Sequence, residues 1–123
     1  MMRARIVHHS EYLALSLLLT GAAVWQKDEI TAWFWFWLFA PDLFGLLPAF
    51  LFGRSVGRGY IPPRAVWLYN LWHNFTLPMV IWAALLFFFA GNVWPLLGWL
   101  LHIALDRLMG FGLRGDDGGQ ALI

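Results

Sequence analysis

Two histidines and two aspartates stand out in a chain whose long segments are otherwise apolar. His102 and Asp106 are four residues apart, so both lie on one face of a helix. Asp42 directly follows Pro41, and His73 lies in a separate apolar segment. Imidazole nitrogens and carboxylate oxygens without sulfur are the ligands of hydrolytic zinc, manganese or iron sites. The sequence therefore predicts a divalent metal site with four ligands: Asp42, His73, His102 and Asp106.

Other polar residues could assist such a site. Glu11, near the start of the first apolar segment, is predicted to be the general base or an additional ligand. Asn70 lies three residues before His73 on the same helical face, and we expect it to orient a ligand through a hydrogen bond. Three arginines of the longest polar stretch and its flank are predicted to bind lipid headgroups: Arg54, Arg58 and Arg64.

The same residues allow other uses. Hydrogen bonds from the histidines to the aspartates would form a structural network, and a chain of titratable groups would form a proton or ion path. The histidines could also be axial ligands of a haem, although carboxylates at the same depth would crowd it. The metal site, the structural network and the transport path all stay open at this point.

The residues must be carried by membrane-spanning elements. Of the 123 residues, 61% are hydrophobic and 12% are charged, whereas soluble domains have about 45–50% apolar and about 25% charged residues. The absence of cysteine excludes disulfides, thiolate metal sites and cysteine nucleophiles. The basic residues do not gather on one polar face, so no nucleic-acid partner is expected. Membrane lipids are the expected partners, and a homo-oligomer stays open.

Four apolar segments approach the length of about 20 residues that a spanning helix needs. We predict helices over 6–25, 31–52, 64–89 and 92–109, with bends near Pro41 and Pro78. A signal peptide is the alternative for the first segment, but Glu11 interrupts it and further apolar segments follow. The predicted fold is all-α: one four-helix transmembrane bundle over 1–114, followed by a disordered tail over 115–123.

Basic residues predict the orientation. Seven arginines lie at the two termini and around the second loop, whereas the first loop holds Lys27 alone. Because cytoplasmic loops carry the excess of Lys and Arg, both termini are predicted to be cytoplasmic. The chain would then be a multi-pass protein of the cell inner membrane.

The predicted ligands lie at similar depths. Counted from the cytoplasmic ends, Asp42 and His73 lie roughly 16 and 14 Å deep, and His102 and Asp106 roughly 18 and 12 Å deep. Because ionisable residues are costly in hydrocarbon, we expect them to face the bundle interior as one cluster. Polar atoms within about 5 Å of a common centre would support the metal site.

Several sequence elements together resemble a known family. They are Glu11, Pro41-Asp42-Leu43, Arg54 with Gly57, Tyr69-Asn70-x-x-His73 with Pro78, and His102-Ile103-x-x-Asp106-Arg107 followed by Gly110-Phe111-Gly112-Leu113. In these elements the chain resembles domain of unknown function family 4260, a group of small, mostly bacterial membrane proteins. The resemblance covers about 11–113 and departs over 44–49, which is more apolar and carries Pro48. The family implies no activity.

A looser likeness in pattern concerns the membrane-bound metal-dependent hydrolases of the YbcI and YdjM type. Those proteins place a Pro-Asp element, a histidine and a His-x-x-x-Asp-like element on successive membrane helices. The likeness implies that the four predicted ligands hold a catalytic metal ion. Together with the depth of the site, it predicts a metal-dependent hydrolase that acts on a lipid-like substrate. A small transporter and a structural membrane subunit are the alternatives.

Overall fold

The computed structural model describes residues 2–89 and 91–120, and this part of the chain is all-α, as predicted. Its α-helices are α1 (Met2–Trp25), α2 (Trp33–Ala40), α3 (Val66–Trp72), α4 (Thr76–Ala84) and α5 (Leu97–Leu108). Short 3₁₀ or π-helical turns extend them at Pro41–Leu46, Pro48–Phe52, Pro63–Ala65, Leu85–Phe89 and Trp94–Leu96. The described residues contain no strand, and Arg114 and Gln120 form an isolated bridge.

Helix α5 is the centre of the bundle, because α1, α2 and α4 all pack against it. His9 of α1 donates a hydrogen bond from Nδ1 to the Leu108 carbonyl at the end of α5 (2.9 Å), so these helices are antiparallel. One apolar cluster joins α1, α2 and α5: Leu19, Ala23, Phe34, Leu97, Leu101 and Ala104. A second cluster around Trp99 joins α5 to α4. These contacts hold both faces of α5 in place.

The third predicted helix, over 64–89, is broken in the structure. Helix α3 ends at Trp72 and α4 begins at Thr76, with a bend of 43° between the two helical segments. Pro78 does not make the bend, because it lies in the first turn of α4, where no backbone N–H is needed. Asn74 instead joins the two helices. Its side chain donates to carbonyls of α3 and accepts from the Leu77 N–H of α4.

The remaining helices differ from the prediction mainly at their ends. The first begins at Met2 rather than near 6, and the fourth is a 3₁₀ turn from Trp94 followed by α5, which ends at Leu108. These shifts are no larger than the usual uncertainty of helix ends, except at the amino terminus.

The segment predicted to be a disordered tail, 115–123, is described as far as residue 120. Residues 115–120 form a compact turn, in which the Gly115 N–H donates to the Gly119 carbonyl (2.7 Å). The Ile61 N–H donates to the Gly118 carbonyl (3.1 Å), so the turn is held against the loop before α3. Composition suggested disorder because the segment is polar and rich in glycine, but Gly118 adopts a positive φ of 91° that this turn requires. Residues 121–123 lie outside the described part.

Among the described residues, one helical stretch, Trp33–Phe52, is long and apolar enough by itself to cross a membrane. The bent pair Pro63–Trp72 and Thr76–Phe89 passes the same test when taken together. Large apolar side chains also lie exposed on the outer surface of the bundle, for example Leu17 and Leu18 of α1 and Phe87 and Phe88 after α4.

Candidate metal site

The four predicted metal ligands meet at one point of the bundle. Each offers one ligand atom, and these atoms all lie within 4.8 Å of one another. Nε2 of His73 lies 3.2 Å from Asp42 Oδ1 and 3.6 Å from Asp106 Oδ2. Nε2 of His102 lies 3.4 and 3.2 Å from the same two oxygens. Ligand atoms about 2.0–2.1 Å from a tetrahedral zinc ion are about 3.3 Å apart, so this group could hold a metal ion.

Backbone carbonyls orient both imidazole rings. Nδ1 of His73 lies 2.8 Å from the Tyr69 carbonyl, and Nδ1 of His102 lies 2.7 Å from the Leu38 carbonyl. A carbonyl oxygen only accepts, so each Nδ1 carries the proton. In a neutral ring the lone pair is then on Nε2, which faces the aspartates. This is the arrangement in which proteins present histidine to a metal.

Nε2 of His102 faces both carboxylates. It is buried and makes no hydrogen bond to any described residue, although carboxylate oxygens lie 3.2 and 3.4 Å away. A lone pair between two carboxylates is repelled by both. A positive charge at this point, either a metal ion or a proton on Nε2, would attract both carboxylates.

Close packing of two backbones sets the position of His102 and Asp106. Both lie on α5, one turn apart, and α5 approaches α2 at Gly98. A Cβ at position 98 would lie 2.8 Å from the Leu38 backbone nitrogen and closer still to the Phe34 carbonyl. Glycine therefore allows the contact that brings His102, one turn later, to the Leu38 carbonyl.

A change of helical register presents Asp42. Pro41 has no backbone N–H, and the helix changes there from α to π, with the Leu47 N–H bonded to the Asp42 carbonyl (2.9 Å). In the turn before it, the Leu38 carbonyl accepts from His102. Asp42 and the carbonyl that orients His102 thus lie within one helical turn of each other.

The break after α3 presents His73, and side-chain donors bond to the carbonyls at the end of α3. A helix end leaves its last four carbonyls without partners in the helix, which is costly inside a bundle. The Tyr69 carbonyl accepts from the His73 ring, and the Asn70 and Leu71 carbonyls accept from Asn74. The Trp72 carbonyl accepts from Trp99, and the His73 carbonyl accepts from Arg107. The break is therefore a specific feature that side-chain hydrogen bonds stabilise.

The carboxy-terminal segment covers His73 from one side. The His73 ring stacks on Tyr69 with centroids 3.9 Å apart, and the Arg114 guanidinium lies 4.9 Å from the centre of the Tyr69 ring. Asn70 holds Arg114 there, because its side chain donates to the Arg114 carbonyl (3.0 Å) and accepts from the Arg114 N–H (2.7 Å). Asn70 thus pairs with a backbone rather than with a predicted ligand.

The opposite side of the site is open. A groove of about 260 Å³ between α2 and α5 is lined by two carboxylates, one imidazole and four apolar side chains: Leu38, Phe39, Asp42, His102, Leu105, Asp106 and Met109. The Asp42 side chain is 48% exposed there, whereas those of Asp106 and His73 are 16% and 3% exposed. A molecule that reached the site through this groove would meet Asp42 first.

Comparison with known proteins identifies the family. Residues 5–121 match the family model described as Domain of unknown function (DUF4260). The chain belongs to this family. The match confirms the family predicted from the sequence. No curated protein and no solved structure matches the chain. The function of this DUF4260 chain therefore has to be argued from the site itself.

The other residues predicted for the site lie elsewhere in the DUF4260 bundle. Glu11 is exposed on α1 and is not one of the four grouped ligands. Arg54 and Arg64 are exposed and line a cavity of about 330 Å³ beside Pro62 and Pro63. Arg58 is exposed and lines a separate cavity of similar volume. Binding of lipid headgroups by these arginines stays a prediction.

Three residues that support the site were not predicted to do so. Tyr69 supplies the carbonyl and the stacking ring for His73, Asn74 joins α3 to α4, and Arg107 bonds to the His73 carbonyl. Asn74 left a signal in the sequence, because asparagine is common just before the first residue of a helix. The roles of Tyr69 and Arg107 depend on contacts between distant segments, and no local pattern indicates them.

Proposed function

We propose that this protein is a multi-pass protein of the cell inner membrane that binds one divalent metal ion and hydrolyses a lipid-like substrate. Four residues would hold the ion: Asp42, His73, His102 and Asp106. The observation that carries the proposal is that these four residues, from three separate segments, each bring one ligand atom to within 4.8 Å of the others. Zinc, manganese and iron all accept this set of nitrogen and oxygen ligands.

The fold supports a membrane location. The apolar stretch Trp33–Phe52 and the bent pair from Pro63 to Phe89 have the length and hydropathy of spans. The break inside that pair satisfies its carbonyls with protein donors, which a lipid environment demands. With α1 and α5 as the remaining spans, the bundle would have four. The excess of arginine at the termini supports cytoplasmic termini.

The residues of the site suggest how hydrolysis would proceed. A bound divalent ion supplies Lewis-acid activation of water and of a carbonyl or phosphoryl oxygen. Asp42 would hold the ion through one carboxylate oxygen and accept a proton from water on the other, because it borders the open groove and is the most exposed of the four. Glu11, the base predicted from the sequence, is exposed on α1 and is not one of the four clustered residues, so we assign the role to Asp42. Tyr69 and Leu38 orient the imidazoles through their carbonyls.

The groove supports an amphiphilic substrate. Its polar residues lie at the metal site, and its other walls are apolar, including Phe39 and Met109, which are also exposed on the outside of the bundle. A molecule dissolved in the bilayer could reach Asp42 between α2 and α5 without crossing a polar layer. A hydrophilic substrate would have to displace the segment that covers His73.

Elemental analysis of the purified protein tests the metal site. We expect about one zinc, manganese or iron ion per chain, and loss of that ion in His102→Ala. His8→Ala is the matched control, because His8 lies outside the group of four and should leave the metal content unchanged. If the protein contained no stoichiometric metal, and added zinc and manganese failed to raise its thermal stability, the proposal would be wrong.

A structural ion network is the second candidate. Each histidine lies 3.2–3.6 Å from both carboxylates, a spacing that also suits two protonated imidazoles and two carboxylates. In that case, replacing both histidines by leucine together with both aspartates by asparagine should keep or raise the thermal stability. For a metal site the same variant should lose both the ion and the stabilisation by added metal. Proton flux in proteoliposomes would instead support transport.

A further inference from the structure

A second cavity lies beside the metal groove and is almost wholly apolar. It has a volume of about 460 Å³ and is formed by α1, α2, α5 and the loop between α1 and α2. Thr20 and Val24 line it from α1, Phe34 and Leu38 from α2, and Leu101 from α5. Because α1 and α2 pack on α5 rather than on each other, the cavity is a slot between them.

The slot continues the metal groove. Leu38 lines both cavities, and Leu101, which lines the slot, precedes the predicted ligand His102. From Ile30 at the far end of the slot to Asp42 at the metal site, the chain advances by twelve residues, or about 18 Å of helix. The two cavities are therefore neighbours that share Leu38: the predicted ligands line the groove, and the walls of the slot are apolar apart from Thr20 and Lys27.

We propose that the slot binds the hydrocarbon chain of the substrate while its polar group lies at the metal site. The inference rests on the proposed function and assigns the substrate class: an amphiphile with at least one extended acyl or alkyl chain. Polar surface at one end and apolar surface over the remaining length match the two parts of such a molecule.

The volume of the slot suits a small molecule. Pockets that bind small molecules have volumes of about 300–1,000 Å³, and the slot has about 460 Å³. Its largely apolar walls suit a hydrocarbon chain.

Photolabelling in lipid nanodiscs tests the slot. The probe is a phosphatidylethanolamine with a diazirine in its acyl chain, added at increasing mole fraction, with labelled residues mapped by mass spectrometry. We expect labelling at Thr20 and Val24 to saturate at a low mole fraction. Thr20→Trp, which places an indole in the slot, should abolish the saturable labelling. Leu18→Trp is the control, because Leu18 is 69% exposed and does not line the slot.

The results separate this inference from the proposed function. If labelling rose linearly with probe at both Thr20 and Leu18 in metal-bound protein, the inference that the slot binds a hydrocarbon chain would be wrong. The proposed metal site would be unaffected. Disulfide links between two copies of a Val24→Cys variant, in a chain without other cysteines, would also overturn it, since they show a protein occupant. Saturable labelling in protein that binds no metal overturns the proposed function and the substrate role, and leaves only a lipid site.

Discussion

Replacing Gly98 by alanine should separate α2 from α5 and weaken metal binding without touching a ligand. The added Cβ would lie 2.8 Å from the Leu38 backbone nitrogen, whereas non-bonded atoms of this size settle at about 3.5 Å. The contact is between two backbones, so no side chain can rotate away. The helices must therefore move apart by about 0.7 Å or more.

This displacement acts on the hydrogen bond that orients His102. Nδ1 of His102 lies 2.7 Å from the Leu38 carbonyl, and the same displacement would lengthen the bond to about 3.4 Å, beyond the ordinary limit of about 3.2 Å. Loss of such an orienting partner typically lowers metal affinity by about 10–100-fold. Overpacking of the contact should also lower the unfolding free energy by about 1–3 kcal/mol.

The assay is competition for zinc with a chromophoric chelator, together with thermal unfolding in detergent followed by tryptophan fluorescence. Gly21→Ala is the matched control. Gly21 also lies inside a helix, but its added Cβ would meet nothing within 4 Å, so the variant should keep its metal affinity and unfold at the same or a higher temperature. If Gly98→Ala bound zinc as tightly as the natural chain, the contact at Gly98 would not be what positions His102.

Three further predictions concern the residues that support the site. Asn74→Ala should lower the unfolding free energy by about 0.5–1.5 kcal/mol, because two carbonyls at the end of α3 lose their donor. Asn74→Asp should fail to restore the unfolding free energy, because it keeps only the acceptor for the Leu77 N–H; thermal unfolding measures both variants. Tyr69→Leu should weaken zinc binding in the chelator assay, because it removes the ring that stacks on His73, an interaction of about 0.5–1.5 kcal/mol. If Tyr69→Leu and Tyr69→Phe bound zinc with equal affinity, a role for the ring would be refuted. Gly118→Ala should make the carboxy-terminal turn more sensitive to limited proteolysis, because the added Cβ would collide with the Ile61 carbonyl. Gly57→Ala is the control, because a Cβ at position 57 would meet no atom within 4 Å.

Local sequence patterns predicted which four residues cluster but not all of their surroundings. His102 and Asp106 could be paired from their spacing, because four residues make one helical turn. Asp42 beside Pro41 indicated a disturbed helix, and the structure has a π-helical turn there. The sequence predicts the bend at Pro78, because proline is a strong local signal, whereas the structure has the break at 73–75. The donors that stabilise this break come from α5 and from Asn74, and no local pattern indicates them.

The expectation for Asn70 shows why partners are harder to predict than positions. Its place on the face of His73 followed from helical spacing, but its side chain bonds to Arg114, 44 residues later in the chain. Nothing in the local sequence indicates that the carboxy-terminal segment returns to α3. The sequence also predicts disorder for this segment, because its contacts with residues around Ile61 are not visible in the local sequence.

By itself, the sequence determined an all-α chain of long apolar helices and the few ionisable residues that lie within them. Both depend on composition and on the helical period, which are local properties. Only the tertiary structure decided that four of those residues meet at one point, which nitrogen of each histidine faces the carboxylates, and which side of the site is open. These depend on how closely α2 and α5 approach at Gly98 and on which distant groups satisfy the exposed carbonyls. Such contacts are set by the packing of whole helices, which no single segment encodes.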